Sequence, residues 1–314
     1  MYTAVNIVFT LLFLIFFCLI VWFFSGYFMS AYHLGKLYPH DKGLPISNCQ
    51  IWTNEVTKFD LEDDEKAERV PVLMYHRIID EKHISDIHYD ENGNLYKTIV
   101  LTEEFAKQMK LLHEHGYITL NTKEFQLFME GKLNVPKKSV LITFDDGYKD
   151  NYINAYPILK SYDFNAALYL VTGWITKHEQ KYQPDQTQYL SESDLRKSCP
   201  VFEFQSHTYN MHYRTKDGTS YLLNKSATEL LEDFKASFTN LNGENRSFAY
   251  PYGVYEESNI KQLKKLGVKM AFTTEFEFAS RKANMYEIPR LSVFPDDTLE
   301  DFKNKIGLDT GKQP

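Results

Sequence analysis

Two neighbouring aspartates raise the first question of chemistry. In Thr143-Phe-Asp-Asp-Gly147, Asp145 and Asp146 bring like charges within a few ångströms of each other. That costs free energy unless a cation lies nearby. Asp-Asp-Gly also builds Asx turns, in which the acids only cap the turn. The segment His207-Thr-Tyr-Asn-Met-His212 sets two imidazoles five positions apart. This step puts them on different faces of a helix and on opposite faces of a strand, so only a loop can turn both toward one point. Either histidine alone is as readily a core or surface residue. Two imidazoles, one carboxylate and an open position for water form a standard catalytic zinc set. The aspartate left over is then free to act as general base on that water. His76 has two readings: a satisfied histidine at a strand end, or the acid that protonates a leaving group.

Those residues need elements to carry them. Val70–Tyr75 reads as a short buried strand, and further strand signals lie at Tyr117–Leu120, Ser139–Phe144, Ala166–Val171, Val201–Gln205, Phe248–Tyr250, Met270–Thr274 and Ile288–Val293. Helical patterns alternate with them. Thr102–His115 places Phe105, Met109 and Leu112 on one face, and similar signals cover Thr122–Glu130, Asn154–Tyr162 and Glu256–Leu266. The capping box Ser226-Ala-Thr-Glu229 opens a helix with Leu230, Phe234, Phe238 and Leu241 inward. Such alternation implies a parallel sheet with helical cover. The expected fold class is α/β, a (β/α) barrel, with an incomplete or distorted form allowed. Segments 78–100 and 176–190 carry no clear periodicity and read as long surface loops of the kind that line sites.

In a parallel barrel the site forms at the carboxyl ends of the strands. His76 follows the first strand, Asp145 and Asp146 follow Phe144, His207 and His212 follow Gln205, and Pro251-Tyr252-Gly253 follows Tyr250. Polar or turn-forming clusters at four equivalent strand ends argue for one shared site.

The 314 residues are 43% hydrophobic and 25% charged, which supports a packed domain and excludes general disorder. A net charge of -7 argues against a nucleic-acid partner, which leaves a basic footprint. Cys18 lies in an apolar run, Cys49 and Cys199 have no spacing that calls for a disulfide, and no Cys-x-x-Cys suggests a thiolate metal site. From Val5 to Phe24 nearly every residue is apolar, and no Asp, Glu, Lys or Arg precedes Lys36. A run of about 20 apolar residues can span a bilayer as a helix. Trp22 and Tyr27 sit where interfacial rings are favoured. A cleaved signal peptide is the rival, weakened by the missing basic start and the long apolar part. The expected organisation is a transmembrane anchor over 1–30, a flexible linker over 31–69, a catalytic domain over 70–305 and a tail over 306–314. Pro39, Gly43, Pro45 and the acidic run Asp60–Glu65 mark the linker.

Thr143–Gly147, the His207/His212 pair and Tyr250-Pro-Tyr-Gly253 resemble the first three motifs of the NodB-type polysaccharide deacetylases, carbohydrate esterase family 4, across residues 70–302. The histidine step, one residue longer than in many members, and Pro71-Val-Leu-Met-Tyr-His76 resemble the branch that deacetylates poly-β-1,6-N-acetylglucosamine in biofilms. That branch is circularly permuted, so a histidine usually found near the carboxyl end occurs in the first strand; here no histidine follows His212. The resemblance implies Asp145 as base and Asp146, His207 and His212 as ligands of a divalent metal. Zinc is the first choice, and cobalt, nickel or iron also suit such a set. It implies His76 as general acid and the backbone N–H of Tyr252 as an oxyanion donor. One departure stands out. Many members carry an arginine, paired with the base, two residues before the motif proline, where this chain has Ala249; Arg290 is the candidate substitute.

The implied function is N-deacetylation of an extracellular N-acetylglucosamine polymer, poly-β-1,6-N-acetylglucosamine first, releasing acetate. Peptidoglycan or chitin-like oligomers are alternative substrates, and a non-catalytic membrane-tethered glycan-binding protein is an alternative function. A glycosidase fits less well, since its two acids stand about 5–9 Å apart on different elements. Implied partners are the polysaccharide, the membrane, and exopolysaccharide synthesis or export machinery. The expected location is the cell membrane, single-pass, with the domain outside. That orientation rests on the substrate, because Lys36 and Lys42 by charge alone favour keeping their side inside.

Overall fold

Ser139–Phe144 carries no charged side chain, and it forms a strand buried along its whole length. Strands of this kind belong in sheets covered on both sides. The computed structural model describes residues 9, 10, 12–21 and 37–308, which fall into two units, Met1–Leu37 and Tyr38–Pro314. The anchor expected over 1–30 lies for the most part outside the described residues, as does the tail beyond 308. Residues 9, 10 and 12–21 are helical. No helix among the described residues is long and apolar enough to cross a membrane.

The second unit is built on a parallel sheet. Among the described residues its strands are β1 (Val72–Tyr75), β2 (Ile118–Thr119), β3 (Ser139–Phe144), β4 (Ala166–Leu170), β5 (Phe202–Ser206), β6 (Ser247–Ala249), β7 (Met270–Phe272) and β8 (Leu291–Ser292). Their order is β7-β6-β5-β4-β3-β1-β8, with β2 pairing the start of β3. The sheet curls into a half-barrel with helices outside, and its two edges approach through one parallel bridge, Phe272 to Ile288. The last strand signal, read as one run over 288–293, therefore splits: Ile288 reaches β7 while Leu291 and Ser292 pair with β1. Pro289 and Arg290 lie between the two pairings.

Alternate strand residues pack on opposite sides, as the period of two requires. Leu73, Tyr75, Ile142, Phe144, Leu168 and Phe204 face outward with Phe105, Met109 and Leu112 of α1 (Thr102–Glu114). Leu141, Ala167, Tyr169, Ala249 and Phe272 face inward with Phe125 and Phe128 of α2 (Thr122–Met129). A third cluster sets Phe248 and Tyr250 against Leu230, Phe234 and Phe238 of an α-helix over Ala227–Asn240, which begins at the Ser226–Glu229 capping box. Each such fully buried side chain contributes roughly 1.5–3 kcal/mol of transfer free energy. Two further helices, Glu192–Ser198 and Leu299–Ile306, were not anticipated from periodicity; both are short and begin at capping boxes.

Residues 38–69 do not behave as the expected tether. Tyr38, Leu44 and Ile46 are buried. The N–H of Tyr38 donates to the carbonyl of Gly173 (2.8 Å) and that of Leu44 to Asn240 (2.7 Å). Gln50 and Trp52 donate to the carbonyls of Phe202 and Cys199, at 2.9 and 2.7 Å. Cys49 and Cys199 form a disulfide across 150 residues, with Cα atoms 5.8 Å apart. Proline, glycine and acidic residues suggested a solvated linker. Tyr38, Leu44 and Ile46 found a surface to cover, while most of the acidic run and residues 54–58 stay exposed.

Candidate active site

The four strand ends converge as the barrel rule requires. A cleft of about 350 Å³ is lined by His76, Asp145, Asp146, His207, His212 and Tyr252, with Tyr148, Trp174 and Tyr189 as aromatic walls. Thr98 and Tyr189, from the two long loops, also line it. Three of its turns hold non-glycine residues at positive φ: Asp146 (73°), Thr208 (78°) and Tyr252 (61°). Such conformations cost about 1–3 kcal/mol each and persist only where surrounding structure enforces them. Gly147 follows Asp146 at φ 79°. A Cβ there would also meet Leu170 Cδ2 at 2.8 Å, so the turn needs glycine on both counts.

Asp146, His207 and His212 each bring one ligand atom within 4.8 Å of the others. Asp146 Oδ1 lies 3.4 Å from His207 Nε2 and 3.2 Å from His212 Nε2. The Nδ1 of His207 sits 2.7 Å from the carbonyl of Ala249, which turns Nε2 toward the cluster. Orienting a ligating histidine through its second nitrogen is common at metal sites.

The donor set fits a divalent cation. Asp146 Oδ1 is buried without a hydrogen-bond partner among the described residues, an expensive state for a carboxylate oxygen unless something cationic shares the site. Burial pushes His212 down to about 4, against the pull of Asp146, so near neutral pH it is an imidazole with a free lone pair. Burial also acts to lower His207, but Asp145 and Asp146 outweigh it and raise the ring toward the charged form. The two acids thus favour positive charge at this point.

Asp145 is held differently. Arg290 is fully buried beneath the cleft, and its Nη1 and Nη2 donate to Asp145 Oδ1 and Oδ2 at 2.8 and 2.7 Å. The Nε of Arg290 donates to the carbonyl of Thr273 at 3.0 Å, which fixes the fork. Burial alone would raise the Asp145 carboxyl; Arg290, helped by His207, outweighs it and holds the carboxyl below its ordinary value. The position left open by Ala249 is therefore served from the far end of the chain.

His76 is tied down by residues that the motif reading passed over. Asn151 Nδ2 donates to the carbonyl of His76 at 2.6 Å. The N–H of Ile78 donates to Asp150 Oδ1 at 3.1 Å, Asn154 Nδ2 donates to the carbonyl of Ile78 at 2.7 Å, and Arg77 pairs with Asp150 at 2.9 Å. Asn151–Ala155 forms a π-helical turn, a feature frequent at functional sites. The polar run Lys149-Asp-Asn151, separated from the aspartates only by Gly147 and Tyr148, was the available signal. Tyr252 stands at the rim. Its ring lies 4.3 Å from that of His212, Arg214 lies over it at 4.1 Å, and its backbone N–H makes no hydrogen bond among the described residues.

Residues 132–271 match the sequence profile of the family described as polysaccharide deacetylase. A Staphylococcus aureus (strain MRSA252) protein named poly-beta-1,6-N-acetyl-D-glucosamine N-deacetylase is 31% identical over 236 residues, 73% of this chain and 79% of its own length. The Streptococcus pyogenes deacetylase PplD, solved in complex with acetate, is similar with a TM-score of 0.64 at 27% identity, covering 76% of this chain and 98% of its own. IcaB from Ammonifex degensii is similar with a TM-score of 0.63 at 23% identity, over 77% of this chain and 98% of its own, a likeness of fold.

Proposed function

Since the chain belongs to the polysaccharide deacetylase family, hydrolases that act on the amide bond of N-acetyl groups, we propose that it deacetylates an extracellular β-1,6-linked N-acetylglucosamine polymer with one divalent cation. The observation that carries this is the convergence of Asp146, His207 and His212 beside an Asp145 kept out of the cluster by a bidentate arginine. The named activity of the staphylococcal relative supports the choice of polymer.

A cation held by Asp146, His207 and His212, zinc first, supplies Lewis acidity at the acetyl carbonyl and lowers the pKa of a water. Asp145 removes the proton from the attacking water. Its pairing with Arg290 keeps it ionised and fixes its direction. The free backbone N–H of Tyr252 donates to the oxyanion as it develops, and its left-handed turn sets that direction before substrate arrives. His76 passes a proton to the departing amine, leaving acetate and a glucosamine unit.

The apolar run over residues 5–24 supports a membrane anchor, and the polymer substrate, not the flanking charge, is the reason to place the domain on the outer face. The Cys49–Cys199 disulfide supports an oxidising compartment. The test is acetate release from poly-β-1,6-N-acetylglucosamine, chitin oligomers and peptidoglycan, with and without chelator. Chelator-sensitive release, highest on the β-1,6 polymer, is expected. Release indifferent to chelator would sink the cation, and preference for another polymer would sink the substrate.

A further inference from the structure

The loop between His207 and His212 needs something to shape it, because neither helix nor strand would bring both rings to one point. The α-helix Ala227–Asn240 supplies it from outside the sheet. Asp233 on that helix is buried and accepts from two consecutive backbone amides. The N–H of Tyr209 donates to Oδ1 at 2.9 Å and the N–H of Asn210 to Oδ2 at 2.7 Å. Turning two successive amides to one carboxylate fixes the peptide planes between the histidines. One turn further along, Ser237 Oγ lies 2.7 Å from Ser206 Oγ, on the residue just before His207. The helix therefore grips the loop on both sides of His207. Thr208 sits in the left-handed region between the two grips, and its hydroxyl accepts from the N–H of Met211 at 3.1 Å. No lysine or arginine offsets the charge of Asp233 among the described residues. Burial without a counter-cation pushes the Asp233 carboxyl up to about 7, and the hydrogen bonds from the two amides pull against that rise without cancelling it. Leu230, Phe234 and Phe238 bury the helix against Phe248, so the carboxylate is carried on a rigid element.

We propose that Asp233 is a positioning residue for the cation site: it presets the loop so that His212 returns to His207 and Asp146 before any cation binds. This rests on the reading of Asp146, His207 and His212 as ligands. The experiment titrates Co2+ alone into the full chain, following its visible spectrum, for the wild type, His212→Ala, Asp233→Ala and Asp233→Asn, with a thermal melt of each. The expected result is a Kd weakened about 10–100-fold in Asp233→Ala, as for other supports behind metal ligands. Asp233→Asn, which keeps one acceptor, should fall between. A role in stability alone would lower the melting temperature and leave the Kd of the folded protein unchanged, and that outcome overturns the proposal. If Asp233→Ala does not fold, the Kd of Asp233→Asn decides; failure of both to fold assigns Asp233 to folding and also overturns it. Equal Co2+ binding by wild type and His212→Ala would instead refute the ligand assignment itself, and the proposal with it.

Discussion

Replacing Arg290 by glutamine tests the division of labour between the two aspartates. Arg290 is wholly buried, Asp145 is 2% exposed, and two charge-assisted hydrogen bonds of 2.8 and 2.7 Å join them. Glutamine keeps a hydrogen-bond donor and removes the charge. The carboxylate then has two ways to respond. Remaining ionised and unpaired costs about 3–5 kcal/mol of stability. Taking up a proton avoids part of that cost, and loss of an adjacent opposite charge raises a carboxyl pKa by about 1–3 units. In the second case Asp145 is neutral over more of the pH range and cannot act as base. The acid limb of kcat/KM for acetate release should therefore move up by about 1–3 units. The rate on the acid side of the new limb should fall toward the loss of about 10²–10⁴-fold typical of a missing general base, and recover at higher pH. Arg290→Lys keeps the charge without the fork, so its limb should move less. The assay is acetate release from soluble N-acetylglucosamine oligomers across pH, with a thermal melt to establish that each variant is folded. A folded Arg290→Gln protein with an unmoved acid limb would refute the assignment of Asp145 as an arginine-tuned base.

His76→Ala should lower kcat by about 10²–10⁴-fold while leaving metal content intact; loss of metal in this variant would show that His76 does something else. Burial pushes Glu203, on the inner face of β5, up to about 7 despite Arg246. The folded protein then keeps a proton that the unfolded chain releases near the ordinary value of 4.5. The stability this contributes is present at low pH and is lost as pH rises from there to about 7, at up to about 1.4 kcal/mol per pH unit. Denaturant titrations across that window should show the fall in wild type and a flatter profile in Glu203→Gln; equal slopes would count against it. Removing the disulfide by Cys49→Ser with Cys199→Ser should cost about 2–5 kcal/mol in denaturant unfolding and leave KM unchanged, because none of residues 38–69 lines the cleft. A changed KM would mean that this segment reaches the substrate.

What the sequence determined by itself was local. The buried run Ser139–Phe144, the turn at Asp146-Gly147, the capping box at Ser226 and the alternation of strands with helices each depend on residues a few positions apart. Such patterns placed His76, Asp145, His207 and Tyr252 at strand ends, and the barrel rule joined them into one site. Tertiary structure decided the long-range partners. Arg290 meets Asp145 across 145 residues because the segment bridging β7 and β1 closes the sheet over the Asp145 turn. Cys49 meets Cys199 because residues 38–69 find an apolar surface that exists only once the sheet is assembled. Asp233 reads in sequence as one more polar position on an amphipathic helix; only the packing of that helix turns it toward two amides. Backbone propensity and hydrophobic period act over a turn or a strand, whereas which charge meets which is set by sheet order and closure. The chemistry was therefore legible in residue types and Arg290 could be named as a candidate partner, but its pairing with Asp145 and the groups that hold the loop were decided by packing.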